Sequence, residues 1–149
     1  MKSNLLIFFL IFILNGCGFE PIYSIKDKSN YNIVIVEVKG NKILNNYINR
    51  ELEKISNKNS SNEVKIKVNS KFSKIIISKD SKGSPLEFGL STIVDFEIEN
   101  NNSKRLVSFK EKQNMKKISD LFQQTNYENI IKENFASSIV RKLSIKLYK

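Results

Sequence analysis

Residues 86–99 read Leu86-Glu87-Phe88-Gly89-Leu90-Ser91-Thr92-Ile93-Val94-Asp95-Phe96-Glu97-Ile98-Glu99. Apolar and polar side chains alternate along this stretch, and successive side chains of a β-strand point to opposite faces. One face of the strand is therefore apolar and the other mainly polar. The pattern predicts a long strand whose apolar face packs on a core while the polar face meets solvent.

The segments on both sides of this strand also have strand character. Glu63 begins a stretch in which Val64, Ile66 and Val68 alternate with polar residues, and it extends through Phe72. The triplet 75–77, three isoleucines, breaks the alternation and predicts a bulge or register change. Residues 79–85 form the clearest turn. After a second turn at 100–103, residues 104–113 predict a weaker fourth strand, with Val107 and Phe109 on one face.

Another strand and a helix are predicted before these three strands. Residues 31–38 are β-branched and apolar on both faces, which predicts a buried first strand ending at Gly40. Asn41 is a suitable N-cap for a helix to about Ser56. Its apolar residues recur at helical spacing: Leu44, Ile48, Leu52 and Ile55, with Ile43 and Tyr47 beside them. Residues 57–62 predict a loop.

The chain ends in a second predicted helix. Thr125 and Glu128 have capping-box spacing, so the helix is expected to run from there to about Leu147, with residues 114–124 irregular. Leu121 and Phe122 are expected to cover an edge of the core. The predicted buried face comprises Ile131, Phe135, Ala136, Ile139, Val140, Leu143 and Leu147, and the predicted outer face comprises Lys132, Glu133, Arg141 and Lys142.

The predicted order of elements is β-α-β-β-β-α. It indicates an α+β fold in which two helices pack on one face of a four-stranded mixed sheet. Residues 31–149 would form this single domain, a length that suits one core. A generic two-layer α+β domain fits the same pattern, and a fold alone does not specify a function.

The N-terminus has the layout of a bacterial lipoprotein signal. Lys2 precedes the apolar run Leu5–Leu14, and the small residue Gly16 stands before Cys17. The run is too short for a membrane-spanning helix, which needs about 20 apolar residues. We therefore interpret residues 1–16 as a signal peptide. Residues 17–30 would be a lipidated N-terminus and tether, with a diacylglyceryl group and an N-acyl chain on Cys17 and no other cofactor.

The chain is strongly basic. It has 25 Lys and Arg against 15 Asp and Glu, a formal net charge of +10. Such a charge favours nucleic acid, an anionic lipid surface or a phosphorylated glycolipid as partner, and export argues against nucleic acid. Overuse of Lys, Asn and Ile through AT-rich codons is the alternative explanation. Part of the charge is expected to be structural, with Lys65 and Lys67 opposite Asp95, Glu97 and Glu99.

The residue inventory argues against an enzyme. Cys17 is the only cysteine, so a disulfide or thiolate metal cluster within the chain is excluded, and we expect no metal site. The chain has no histidine, the usual zinc ligand and general base. The remaining acidic candidates include Asp80 and the strand residues Asp95, Glu97 and Glu99. The last three are expected on a solvent face, so a hydrolase built on paired carboxylates is the least favoured class.

Connectivity predicts a basic cluster opposite the anchor. In a simple meander, the turn between strands two and three lies at the same end of the sheet as the exit of strand four. Lys79, Lys82, Lys116 and Lys117 would then gather at that end. The first strand begins at the other end of the sheet, so the tether is expected to place Cys17 there. Lysine ammonium groups form charge-assisted hydrogen bonds to phosphate, so this cluster suits a phosphorylated ligand. The alternative is that the four are ordinary solvated loop lysines.

The residues after the signal resemble a known family. Cys17-Gly18-Phe19-Glu20-Pro21-Ile22-Tyr23 is similar to the Cys-Gly-Phe-x-Pro-Leu-Tyr opening of the alphaproteobacterial lipopolysaccharide-assembly lipoproteins, the LptE family, with Ile22 in place of Leu. The resemblance implies an α+β plug inside a large outer-membrane β-barrel, which it helps to assemble. It also implies contact with lipopolysaccharide in transit to the cell surface. Gly18 in place of a retention Asp favours sorting to the outer membrane.

By this resemblance, the lipopolysaccharide contacts fall in the turn between strands two and three and before the last helix. They correspond here to Lys79 or Lys82 and to Lys116 or Lys117. The expected partners are the barrel protein, lipopolysaccharide and the outer membrane on its periplasmic side, with no nucleic acid. The alternative is an independent periplasm-facing lipoprotein that binds another lipid or an envelope polymer.

Overall fold

A computed structural model describes residues 30–100 and 103–147. Within them the predicted order is confirmed. The elements are β1 (Asn32–Gly40), α1 (Lys42–Ile55), β2 (Glu63–Lys79), β3 (Pro85–Asn100), β4 (Ser103–Lys116) and α2 (Leu121–Leu147). The predicted signal peptide, Cys17 and the tether up to residue 29 lie outside the described residues.

The four strands form one mixed sheet in the order β1-β2-β3-β4. β1 runs parallel to β2, and the other neighbouring pairs are antiparallel. A parallel pair needs a crossover connection, which α1 supplies. Both helices lie on the same face of the sheet, because the buried side chains of the strands and helices form a single apolar cluster. The α+β fold class expected from the predicted order of elements is thus confirmed.

The core is formed by the inward positions of the strands and one face of each helix. Phe96 is fully buried on β3, and its ring meets that of Phe109 edge to face with centroids 6.1 Å apart. The predicted inward face of α2 is confirmed from Ile131 to Leu147. The other largely buried apolar residues are Leu44, Ile48, Leu52, Ile55, Val64, Ile66, Val68, Leu90, Val94, Ile98 and Met115.

The entrance of α1 shows how the local sequence sets the turn. The Asn41 side chain caps the helix by accepting a hydrogen bond from Leu44 N at 3.0 Å, as predicted. Gly40 before it has a φ of 101°, and a Cβ at that position would lie 1.8 Å from the Ser70 carbonyl oxygen. Only glycine fits there, because both the backbone angle and the space exclude a side chain.

Two predictions about the early strands have different outcomes. The irregularity at the isoleucine triplet is confirmed, since the β2–β3 register shifts between Ile76 and Ser78. The prediction that the first strand is buried on both faces was wrong. β1 is an edge strand, and Val36 remains 54% exposed. A parallel strand with apolar residues on both faces is usually central, but β1 has a neighbouring strand on one side only.

The segment before α2 corrects three more predictions. β4 continues to Lys116, and α2 begins at Leu121, so residues 114–124 are mostly regular. Asp120 caps the helix, its Oδ1 accepting from Gln123 N at 2.8 Å. Thr125, the predicted start, lies inside the helix and donates to the Leu121 carbonyl at 2.8 Å. The fourth strand itself was predicted, but its last three residues were missed because Asn114 and Lys116 are polar, while their backbone still pairs with β3.

Three side chains of α2 also lie where they were not expected. Leu121 is 75% exposed, and Phe122 beside it 74%, so neither covers the core. Lys132 was expected outside but is buried. Its long apolar stem suits that position, and its ammonium group finds partners under the helix.

Candidate ligand-binding surface at the distal pole

The end of the sheet that carries the β2–β3 turn, with the end of β4 and the start of α2, is called here the distal pole (residues 75–89 and 114–124). Lys79 pairs with Pro85 across the hairpin, and Lys116 pairs with Glu87. The backbone N–H of Lys117 donates to the Leu86 carbonyl at 2.8 Å. The register therefore brings the segments with all four predicted lysines, those at 79, 82, 116 and 117, to one end of the sheet.

The turn that carries Lys82 is braced by its own backbone and by one carboxylate. Asp80 Oδ1 accepts from Lys82 N at 2.9 Å and from Ser84 N at 2.8 Å. Gly83 N donates to the Asp80 carbonyl at 3.0 Å, and Gly83 has a φ of 85°. Asp80 is thus a turn residue here, and its bonds hold the backbone of Lys82 in place while the lysine side chain stays exposed.

The distal pole also exposes large apolar side chains that sequence reasoning did not assign to the site. Ile75 is 62% exposed, Leu86 51%, and Leu121 and Phe122 about three-quarters. Single exposed apolar residues are ordinary, but a group at one end of a domain marks an interaction surface. Two features of the sequence indicated this surface. One is the isoleucine triplet that breaks the alternation, and the other is the pair of apolar residues directly after the Asp120 cap.

A charged network beneath α2 holds this end together. The Glu128 carboxylate bridges two lysines, with Oε2 2.7 Å from Lys74 Nζ and Oε1 3.0 Å from Lys132 Nζ. Each ammonium group also faces an aromatic ring, Lys74 at 4.5 Å from the Phe88 centroid and Lys132 at 4.6 Å from that of Phe72. The network thus links the first turns of α2 to the two strands of the long hairpin.

The same network sets the ionisation of its carboxylate. Burial raises the pKa of Glu128, but the hydrogen bonds from Lys74 and Lys132 lower it by more. The net effect is a pKa below the usual value for glutamate, so the carboxylate stays charged at neutral pH. Two cations around one anion leave a surplus positive charge close to the exposed lysines of the distal pole.

At the other end of the sheet, lysines and carboxylates form ion pairs with one another. Glu97 Oε1 lies 2.9 Å from both Lys67 Nζ and Lys104 Nζ, and these contacts, that of Lys104 first, lower the pKa of Glu97. The predicted structural role of Lys67 is confirmed. Lys65 lies opposite Glu99 in register, and its Nζ is 3.9 Å from Glu63 Oε1.

The acidic residues of β3 that were candidates for catalysis lie on the open face of the sheet. Asp95 and Glu97 lie on the sheet face away from the helices, as the alternation predicted, and Glu97 is engaged by lysines. Across the described ranges, no group of three or more His, Cys, Asp or Glu side chains is arranged to hold a metal ion. No described helix is long and apolar enough to cross a membrane.

Comparison with known proteins gives a match by structure alone. No protein-family model matches the chain, and no curated protein matches it. Rare lipoprotein B from Shewanella oneidensis is similar with a TM-score of 0.56 and 8% identity, over 77% of this chain and 97% of that one. A minor lipoprotein from Acinetobacter baumannii gives a TM-score of 0.50 and 16% identity, over 74% and 93%. The chain therefore shares its fold with two bacterial lipoproteins.

Proposed function

We propose that the chain is a non-enzymatic outer-membrane lipoprotein. It would serve as the plug and assembly subunit of a lipopolysaccharide translocon and contact lipopolysaccharide on its way to the cell surface. Its partner would be a large outer-membrane β-barrel protein, and its anchor the acylated Cys17, held on the periplasmic side of the outer membrane.

The observation that carries this proposal is the composition of the distal pole. Exposed apolar side chains such as Leu121 and Phe122 stand at the same end as the segments of Lys79, Lys82, Lys116 and Lys117. A phosphorylated glycolipid has the matching chemistry, with acyl chains for the apolar residues and phosphates for the ammonium groups. The role of these four lysines as lipopolysaccharide contacts is part of the proposal.

The fold and the N-terminal residues support the same function. The solved structures that share the fold are called lipoproteins in their own descriptions. Residues 17–23 resemble the opening of the lipopolysaccharide-assembly lipoproteins. Asn32 of β1 pairs with Glu63 at the start of β2, so the domain begins at the end of the sheet opposite the β2–β3 turn. A tether from Cys17 would then leave the distal pole free to meet a partner.

Purification from native membranes in mild detergent tests the proposal. The lipidated chain should bring down one large barrel protein in stoichiometric amount. The double variant Leu121→Ser/Phe122→Ser should recover at least about tenfold less of it, since two exposed anchors are lost at the contact. Ile43→Ser is the matched control, because Ile43 is also exposed, at 44%, but lies on α1.

Two results would count against the proposal. Recovery of the lipoprotein without any large membrane protein would favour the independent lipid-binding lipoprotein. Equal barrel recovery by the double variant and by wild type would remove the distal pole from the contact. Both variants should unfold at the wild-type temperature, since the substituted side chains contribute little to the core.

A further inference from the structure

The face of the sheet opposite the helices has no protein layer over it within the described residues. Both helices pack on the inward face, where positions such as Val94 and Phe96 are buried. The alternate positions of the same strands point the other way. We call this uncovered side the outer face. Its two halves differ in how many of their charged side chains form ion pairs.

The half of the outer face near the start of β2 is electrically balanced. Glu97 is held by Lys67 and Lys104, each at 2.9 Å, and Glu37 Oε1 lies 2.6 Å from Lys39 Nζ. The other carboxylates of this half are Glu63, which lies 3.9 Å from Lys65 Nζ, Asp95 and Glu99. A surface whose ion pairs are already made gains little from a charged partner.

The half nearer the β2–β3 turn carries lysines without such partners. Lys71 and Lys110 flank Ile93 from the two neighbouring strands, and Lys112 lies opposite Ser91 in the next row. All three lysines are exposed. None of them has a carboxylate within ion-pair distance among the described residues. Glu87, opposite Lys116, is the single acidic position in the rows from 87 to 93 on this face.

Exposed isoleucines stand among these lysines. Ile75 is 62% exposed, Ile77 47% and Ile93 38%. Ile75 and Ile77 share the side of Gly89, since a Cβ built on Gly89 would lie 3.1 to 3.2 Å from their side chains. Gly89 belongs to the outward positions of β3, so these isoleucines cover the outer face. These distances are slightly shorter than ordinary van der Waals contact, so the two isoleucines pack directly over Gly89.

We propose that this half of the outer face docks on the surface of an anionic phospholipid bilayer. Lysines along an open sheet can meet lipid phosphates while the isoleucines enter the headgroup boundary, which is how peripheral proteins bind anionic membranes. A sheet lying on the bilayer also keeps the start of β1, next to the tether, at the membrane. The proposal concerns the lipoprotein before it joins a barrel, because a barrel lumen would enclose this face.

Vesicle binding without the anchor tests the docking surface directly. The mature chain, residues 17–149 with Cys17→Ser, is mixed with phosphatidylcholine vesicles that contain or lack phosphatidylglycerol. Sedimentation should show binding only to the anionic vesicles, and weaker binding as salt is added. The variant Lys110→Glu/Lys112→Glu should bind at least about tenfold more weakly, since each lysine near an anionic surface contributes to attraction and each glutamate opposes it.

Lys42→Glu/Lys58→Glu is the matched control. It changes the net charge by the same amount at two exposed lysines away from the outer face. It should keep most of the wild-type binding. Equal losses in both double variants would mean that net charge alone drives binding and would overturn the proposal, as would failure of the parent chain to bind anionic vesicles.

A second measurement locates the contact in the lipidated protein. The chain has no tryptophan, so Ile93→Trp provides a single reporter on the outer face. In vesicles with anionic lipid, brominated acyl chains should quench this tryptophan, whereas Ile43→Trp on α1 should remain bright. Quenching of both reporters or of neither would contradict the assigned orientation. Neither result depends on whether a barrel protein is recovered, so this inference and the proposed function can fail separately.

Discussion

Lys132 Nζ lies 3.0 Å from Glu128 Oε1 one turn before it on α2, and its side chain is only 7% exposed. Glu128 also reaches Lys74 on β2 at 2.7 Å. A single carboxylate thus connects a buried lysine of the helix with a strand that extends to the distal pole. A buried cation depends on such a partner, because water is no longer available to solvate it.

Glu128→Gln should therefore destabilise the fold by about 2–3 kcal/mol, since it leaves the Lys132 and Lys74 ammonium groups near each other without an anion. Lys132→Met should cost less, because the apolar side chain fills a similar volume and Glu128 keeps Lys74. Urea unfolding measures both. Glu133→Gln is the control, because Glu133 forms an exposed ion pair with Arg50. A Lys132→Met variant less stable than Glu128→Gln would contradict this account.

Acid should weaken the fold through the same carboxylate. The pKa of Glu128 is lowered in the folded state from 4.5, so its contribution is complete above about pH 4.5 and is lost as the pH falls through the folded pKa. The free energy of unfolding should therefore fall less steeply below pH 4.5 in Glu128→Gln than in wild type. Glu53→Gln, at an exposed helix position, should keep the wild-type slope. Parallel curves for all three proteins would refute the prediction.

The two glycines with positive φ should respond differently to alanine. At Gly40 a Cβ would meet the Ser70 carbonyl oxygen at 1.8 Å, so Gly40→Ala should cost more than about 3 kcal/mol or prevent folding. At Gly83 a Cβ would meet nothing within 4 Å, so only the backbone angle opposes alanine, at about 1–2 kcal/mol. Thermal unfolding compares them, and equal losses would show that the space at Gly40 is not as tight as described.

Lys82→Glu/Lys117→Glu tests the basic part of the distal pole. Both side chains are exposed, so the fold should be almost unaffected, while binding of lipid A phosphates should weaken by at least about tenfold and depend strongly on salt. Binding of purified lipopolysaccharide at two salt concentrations measures this. Lys42→Glu/Lys58→Glu matches the charge change elsewhere on the protein. Unchanged affinity in the distal-pole variant would remove these lysines from the site.

Cys17→Ser tests the predicted anchor, which lies outside the described residues. Without the thiol no diacylglyceryl group can be attached, so the variant should not be lipidated. Mass spectrometry of the wild-type product should show an acylated N-terminal cysteine at residue 17. A product that starts elsewhere, or a free thiol at that position, would contradict the prediction.

Much of the fold was predictable because the core residues follow the period of each element. The alternation of residues 86–99 matched the inward and outward positions of β3, and the spacing from Ile131 to Leu147 matched the buried face of α2. The cap at Asn41 was also visible, since capping depends on local backbone geometry. The segments of the four distal lysines could be placed together, because in an antiparallel meander the β2–β3 turn and the end of β4 lie at the same end of the sheet.

What depended on distant contacts was not predictable. The last residues of β4 are mostly polar, and pairing with β3 decides that they are a strand. Lys132 looks like a surface residue until the ring of Phe72 on β2 lies beneath the helix, 4.6 Å from its ammonium group. The sequence by itself determined which side chains can be buried together, because periodicity is local. Only the tertiary structure decided which charges find partners and which apolar residues stay exposed, because those depend on neighbours far away in the chain.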